Sequence, residues 1–277
     1  MKTGFTASRP ARIAGMAAVA LIVTACAVSP TGRKQLTLIS DGQMTTMGAQ
    51  AFTDIQKQEP IEKDAAIVGY VQCIADALIA LPEVREMQPD WEVTVFTSDT
   101  VNAFALPGGK IGVYTGLLSV AENPSQLAAV MGHEVAHVLA RHGNERVSQQ
   151  LAVGETMGLI EGWLSSGGGG GTGQQAAMAL LGVGAKVGIL LPFSRAHESE
   201  ADAIGKTLMA KAGFDPRESV TLWQNMGRAG NGGPPEFLST HPSHDTRIRD
   251  LQAGMDVAMA LYEESRATGR TSQCKRP

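Results

Sequence analysis

The chain has 277 residues, 23 of them basic and 27 acidic, for a formal charge of -4 at pH 7. With 43% hydrophobic and 18% charged residues it can bury a sizeable core, which excludes disorder throughout. Aromatic residues make up 5% and no basic run interleaves with them, which excludes a nucleic-acid surface.

The first 25 residues read as a targeting segment. Lys2, Arg9 and Arg12 give it a positive start, and Ile13 to Val23 is an apolar stretch too short to span a bilayer comfortably. Its end, Val23-Thr24-Ala25-Cys26, resembles the lipobox of bacterial lipoproteins, whose cysteine receives a diacylglyceryl group. The resemblance implies a signal peptide over 1–25, lipidation of Cys26, a lipidated tether over 26–40 and a folded domain over 41–277. Ala27, where an aspartate would retain such a protein, implies transport to the outer membrane. Without residues 1–25 the chain keeps 20 basic against 27 acidic residues. Charge alone would then not hold it to anionic lipid, so membrane contact is expected through the anchor only. Cys73 and Cys274 are left as an even pair suited to an oxidising compartment. Bonded, they would close a very long loop and stabilise by ~4 kcal/mol; unbonded, Cys73 would sit in an apolar helix face.

Along the rest of the chain, Ile67, Val71, Ile74, Leu78 and Leu81 repeat at helical spacing up to Pro82. Strand alternation covers 91–97, and Asn102 to Leu106 is a second extended piece. Pro107-Gly108-Gly109 turns the chain into a third strand, Lys110 to Tyr114. Asn123-Pro124-Ser125-Gln126 opens a helix with a capping-box pattern, expected to run to Arg141-His142 and stop at Gly143. Residues 147–193 are rich in Gly, Ala and Leu, with five consecutive glycines at 167–171, and read as helices under a mobile loop. Asp215-Pro216-Arg217-Glu218 starts another helix, and Ile248, Leu251, Met255 and Tyr262 mark a final amphipathic one. The expected fold is α+β: one mostly helical domain with a small sheet beside the helix that opens at Asn123.

That helix carries His133-Glu134-Val135-Ala136-His137, an H-E-x-x-H pattern. Four residues advance a helix by about 400°, so both imidazoles share one face, one turn apart. This is the spacing for two nitrogens to reach one zinc ion, with Glu134 beside them as general base. No charged residue occurs from Gln126 to Gly132 or from Val138 to Ala140, so the motif is expected to be buried, where unpaired polar groups are costly. A metzincin would continue with Gly at 140 and His at 143; Ala140 and Gly143 stand there instead. His142 reads as a polar residue at a helix C-terminus. In Ser194-Arg195-Ala196-His197-Glu198-Ser199-Glu200-Ala201-Asp202, Glu198 and Asp202 are four apart on one face. One carboxylate is then a third ligand and the other can fix a histidine tautomer. Glu200, about 200° around the helix from Glu198, is expected to be solvated or paired with a base and unable to share that role. His197 is expected at the surface.

H-E-x-x-H followed by S-R-x-x-E-x-E-A-D resembles the HtpX-like and CAAX-prenyl-protease-like zinc metallopeptidases, metallopeptidase family forty-eight, of gluzincin type. Asn102-Ala103-Phe104-Ala105-Leu106-Pro107-Gly108-Gly109 upstream, and Ser239-Thr240-His241-Pro242-Ser243 with Arg247 downstream, fit the same pattern. The resemblance covers 40–255 and points to the periplasmic lipoprotein branch typified by LoiP and BepA, nearer the former because no helical-repeat domain follows. It implies one zinc ion held by His133, His137 and Glu198, with Glu134 as general base and Asp202 behind a ligand. His241, His244 and Arg247 are the candidates for stabilising the oxyanion, with Arg247 pairing with a carboxylate as its alternative. His241 also matches a family histidine proposed to fill the open zinc position and hold the enzyme off. The strand over Asn102, Ala103, Phe104 and Ala105 would bind an extended substrate at its edge, unless it lies inside the sheet. The implied activity is zinc-dependent endoproteolysis of misfolded or unassembled envelope proteins, in the periplasm at the outer membrane. A chaperone or assembly factor with little proteolysis is the alternative.

Overall fold

The computed structural model describes residues 26–88, 90–154, 157–165, 180–181, 193–229, 236–241, 246–271 and 273–277. The leader 1–25, His244 and much of the glycine-rich stretch lie outside the described residues. Among the described residues, no helix is long and apolar enough to cross a membrane.

The chain opens with a hairpin of β1 (Cys26–Val28) and β2 (Lys34–Leu36), antiparallel. Residues 26–40, read from sequence as a tether, are therefore folded at least over the hairpin, and Gln35 Nε2 donates to Ala140 O at 2.6 Å. Helix α1 (Asp41–Gln58) follows behind a reciprocal Ser40–Gln43 capping box. Then come α2 (Ala65–Ile79), capped by Asp64, and the short α3 (Pro82–Met87), with its proline in the first turn.

A three-stranded sheet comes next, from β3 (Glu92–Phe96), β4 (Ala103–Leu106) and β5 (Lys110–Tyr114), in the order β3-β5-β4. β3 runs parallel to β5 and β4 antiparallel to it. β4 is therefore an edge strand, in the register Phe104 opposite Gly112. A Cβ at Gly112 would lie 2.3 Å from the Phe104 ring, so glycine there lets the ring lie across β5.

The motif helix α4 (Pro124–Leu139) has Asn123 as cap, accepting the Gln126 N–H at 3.0 Å. Gln126 takes the Glu122 N–H at 2.8 Å, one residue off the reciprocal box. The helix stops at Leu139, short of the expected Gly143. Ala140 N–H closes onto Ala136 and Val138, and Arg141 takes the left-handed φ of 54°, a turn usually left to glycine or asparagine. Gly143 instead lies inside α5 (His142–Ala152). α6 (Met157–Ser165), α7 (Arg195–Lys211), α8 (Glu218–Arg228) and α9 (Glu236–Thr240) follow. The expected last helix is two, α10 (Arg247–Ala253) and α11 (Met255–Ala267), broken at Gly254, where a Cβ would lie 2.8 Å from Lys206 Nζ.

The main core lies between α2, the sheet, α4, α7 and α8, and a second cluster joins α1 to Phe96 and Leu106. Cys73 and Cys274 are bonded, with Cα atoms 5.7 Å apart, pinning the C-terminal tail to α2 across 201 residues. The arrangement is α+β and mostly helical, with the sheet beside the motif helix.

α4 and α7 cross at two glycines. A Cβ on Gly132 would meet Gly205 O at 3.0 Å, and one on Gly205 would meet the backbone N of His133 at 2.7 Å. Backbone cannot step aside as a side-chain tip can. Gly205→Ala is therefore expected to destabilise by about 1–3 kcal/mol through overpacking, against about 1 kcal/mol gained in helix propensity. A lowered denaturant midpoint would show this; an unchanged or raised midpoint would mean that the crossing tolerates a methyl group.

Candidate metal centre

α4 is buried from Gln126 to His137, and His133, Glu134 and His137 are 3%, 2% and 3% exposed. The two imidazoles stand one turn apart with their Nε2 atoms 3.0 Å from each other. Ser194 caps α7 by accepting the His197 N–H at 3.2 Å, and the first turn delivers Glu198. Its Oε2 lies 3.4 Å from His133 Nε2 and its Oε1 3.4 Å from His137 Nε2. His241, just past α9, adds Nδ1 at 3.3 Å from His133 Nε2 and 3.0 Å from Glu198 Oε1. One donor atom from each of the four lies within 4.8 Å of the others.

Hydrogen bonds decide which nitrogens are bare. Asp202 Oδ1 stands 2.9 Å from His133 Nδ1, and a carboxylate only accepts, so Nδ1 carries the proton and Nε2 a lone pair. Arg247 bonds Glu198 at 2.9 Å and Asp202 at 2.7 Å, with its guanidinium 3.4 Å from the Trp223 ring centre. It is 1% exposed and occupied by these carboxylates. Of the two positions the sequence allows Arg247, oxyanion donor or carboxylate partner, the structure places it as the partner of Glu198 and Asp202.

The two Nε2 atoms, 3.0 Å apart, share a hydrogen bond, and with that hydrogen displaced both lone pairs and the Glu198 carboxylate point at one spot where a cation would sit. The buried Oε1 of Glu134 also has no hydrogen-bond partner, with His241 Nε2 3.4 Å away. This donor set of imidazole and carboxylate fits a divalent metal ion. Burial pushes the Glu134 carboxyl above its usual range, against the pull of His241 and His133. Burial likewise lowers His137 well below the usual histidine range, whereas for His133 burial is outweighed by Asp202 and Glu198, which raise it to about 9. Glu198 is held well below the carboxylate range because His241 and His133 outweigh its desolvation.

Behind His137 lies a second network that the sequence reading missed. His142 is fully buried and opens α5 rather than closing the motif helix; its Nδ1 is 2.9 Å from His137 Nδ1 and its Nε2 is 3.0 Å from Glu200 Oε2. Glu200 is buried and paired with a base: Arg33 Nε donates to it at 2.9 Å, and the Ser29 and Thr31 hydroxyls also donate. Arg33 forks onto Glu145 at 2.7 Å through both terminal nitrogens. His197, expected at the surface, is 2% exposed, stacked on His142 and 3.1 Å from Glu145. Phe193 lies 4.0 Å from His137, ring centre to ring centre. The legible signal was His142 and Glu145 three residues apart on α5; Arg33, which bonds Glu145, is far away in sequence.

The edge strand β4 faces the centre. Tyr114 N–H donates to Asn102 O at 3.1 Å, so by two-residue alternation Phe104 also pairs inward while Ala103 and Ala105 turn outward. Ala105 N–H donates to Glu134 Oε2 at 3.2 Å. Phe104 packs its ring among Phe52, Phe96 and Tyr114, and Asn102 Oδ1 is buried without a partner. Of the four residues expected to bind substrate, the backbones of Ala103 and Ala105 are the ones facing outward. Beside them a cavity of about 120 Å³ is lined by Met44, Met87, Pro107, His137, Leu139 and Phe193.

Two histidines from one helix, a glutamate from a second and, beside them, a glutamate with one oxygen lacking a hydrogen bond define a site of the gluzincin metallopeptidase type. The sequence pattern of Peptidase family M48 matches residues 67–254, and the chain belongs to that family. It is 38% identical over 198 residues to the mitochondrial metalloendopeptidase OMA1 of Schizosaccharomyces pombe, covering 71% of this chain and 55% of that one. With the corresponding Bos taurus protein it shares 34% over 270 residues, 90% and 50% of the two chains. With the beta-barrel assembly-enhancing protease of Escherichia coli it shares 28% over 249 residues, 86% and 49%. The chain thus spans about half the length of the curated relatives it matches.

Burial, with His142 and Arg33 nearby, lowers His197 from 6.5 to about 4, and its Nδ1 has no partner to accept a proton's hydrogen bond. Between those values the unfolded chain binds a proton that the folded chain refuses. His197 thus permits full stability above pH 6.5 and removes part of it as pH falls toward 4. Thermal midpoints across this range should fall more steeply in the wild type than in His197→Asn; equal slopes would contradict the assignment.

Proposed function

We propose that the chain is a zinc-dependent metalloendopeptidase that hydrolyses misfolded or unassembled envelope proteins. In this reading it is exported behind residues 1–25, lipidated at Cys26 and held at the inner leaflet of the outer membrane, acting in the periplasm. The observation that carries the activity is the convergence of His133, His137 and Glu198 beside the unpartnered Oε1 of Glu134. His133, His137 and Glu198 would hold the zinc. Bound there, zinc would polarise the scissile carbonyl and lower the pKa of water in the site.

Glu134 is the base. Its carboxyl, raised by burial and aimed by the Ala105 N–H, takes a proton from the attacking water and returns it to the leaving amine. The outward backbone of β4 would pair with an extended substrate, asking little of its sequence, and the cavity beside His137 would take one apolar side chain. Such a site suits unfolded chains, which expose both extended backbone and apolar residues. His241, close to Glu134, Glu198 and His133, would fill the remaining ligand position in a resting state.

Glu134→Gln should bind zinc as the wild type does and lose casein cleavage by about 10²–10⁴-fold, the range for a general base. Wild-type cleavage by that variant would overturn the mechanism. A wild type that binds zinc and cleaves nothing would favour the assembly-factor reading instead.

A further inference from the structure

The hairpin at the start of the described chain reaches the metal centre through a continuous line of hydrogen-bonded polar groups that is buried from Glu200 inward. Arg33 lies just before β2 and donates to Glu200 at 2.9 Å and to Glu145 at 2.7 Å. Ser29 and Thr31, in the turn between β1 and β2, donate their hydroxyls to Glu200 Oε1. Glu200 contacts His142 Nε2 at 3.0 Å, and His142 Nδ1 contacts His137 Nδ1 at 2.9 Å. His142 and Glu200 are 0% and 6% exposed, so solvent does not offer these groups a substitute partner.

We propose that Arg33, Glu200 and His142 are positioning residues that fix which ring nitrogen His137 presents to the metal, making the hairpin a structural part of the metal centre. The inference rests on reading His133, His137 and Glu198 as the metal ligands. Its direction follows from donor and acceptor chemistry. The ionised Glu200 carboxylate can only accept, so His142 Nε2 carries a hydrogen. A neutral imidazole then has a lone pair on Nδ1, which accepts from the Nδ1–H of His137 and leaves His137 Nε2 bare toward Glu198. Reversing any link reverses the next. If Glu200 were protonated and donated to His142, then His142 Nδ1 would donate to His137, and His137 Nε2 would carry the hydrogen that blocks a metal.

Arg33 sets the first link. Glu145 and Glu200 are both buried and both accept from its guanidinium, which holds the Glu200 carboxylate against His142. Without Arg33, Glu200 loses the fork that orients it and the line to His137 loses its anchor. His133 has the same support in a shorter form, from Asp202 backed by Arg247. Each ligand histidine is thus oriented, directly or through His142, by an acid from α7 that accepts from an arginine.

The test is zinc affinity of the full chain by competition with a metallochromic chelator, with apo-protein circular dichroism to confirm folding. Arg33→Met and His142→Leu should each weaken zinc binding by about 10–100-fold, the usual effect of losing an outer partner of a ligand. His142→Gln, whose amide both donates and accepts, should recover most of that loss. The Arg33→Met/His142→Leu pair should be no weaker than the worse single variant, because both act on one chain. Should Arg33→Met not fold, Thr31→Val removes a single donor to Glu200 and should weaken zinc binding a few-fold. Zinc affinity within two-fold of wild type in the folded variants would overturn the proposal, as would His142→Gln falling as far as His142→Leu. His137→Ala separates the two readings: unchanged zinc affinity there would sink the metal-site assignment itself.

Discussion

The molecule depends on how closely two helices approach. At Gly132 and Gly205 the backbones of α4 and α7 touch with no side chain between them. That contact sets the distance and rotation of α7 against the H-E-x-x-H helix. Glu198, Asp202 and Gly205 are spaced by four and three residues, so they lie on one face of α7. With Gly205 against the first turn of the motif, Asp202 falls opposite His133 and Glu198 falls between the two imidazoles. A helix pair held apart by ordinary side chains would leave the carboxylate short of both rings.

That approach buries many charges, and the structure resolves them in pairs. Arg247 serves Glu198 and Asp202, while Arg33 serves Glu145 and Glu200. In each set a guanidinium fork is shared by two carboxylates, and one of those carboxylates orients a ligand histidine. Glu134 belongs to neither set: its Oε1 lacks a hydrogen bond and its carboxyl is shifted upward by burial. A buried carboxylate oxygen without a hydrogen bond is costly in a folded protein, and in the proposed mechanism this carboxylate is the one that takes the proton.

Local patterns in the chain were legible because local physics produces them. The period-two strands, the Asn123 cap and the one-turn spacing of His133 and His137 all follow from residues near each other in sequence. Glu198 was reached through its spacing to Asp202 and the family resemblance together. What could not be read were pairings across long separations: Arg33 meets Glu200 from 167 residues away and Glu145 from 112. Periodicity shows that a residue lies on a buried face but not what it faces. His197 was therefore given a surface position that the packing denies it, and for Glu200 and Arg247 the sequence left open the pairings that the fold makes. The helix end was misread for a related reason. Gly143 looks like a stop, yet Arg141 takes the left-handed turn, and the chain reverses there so that His142 can return to His137.

The most direct measurement is the zinc-edge X-ray absorption spectrum of the full chain loaded with one equivalent of zinc. The account predicts a shell of nitrogen and oxygen neighbours at ~2.0–2.1 Å with imidazole outer-shell scattering. The imidazole contribution should drop by one ring in His137→Ala. A sulfur shell at ~2.3 Å, or a protein that retains no zinc after desalting, would contradict the central claim.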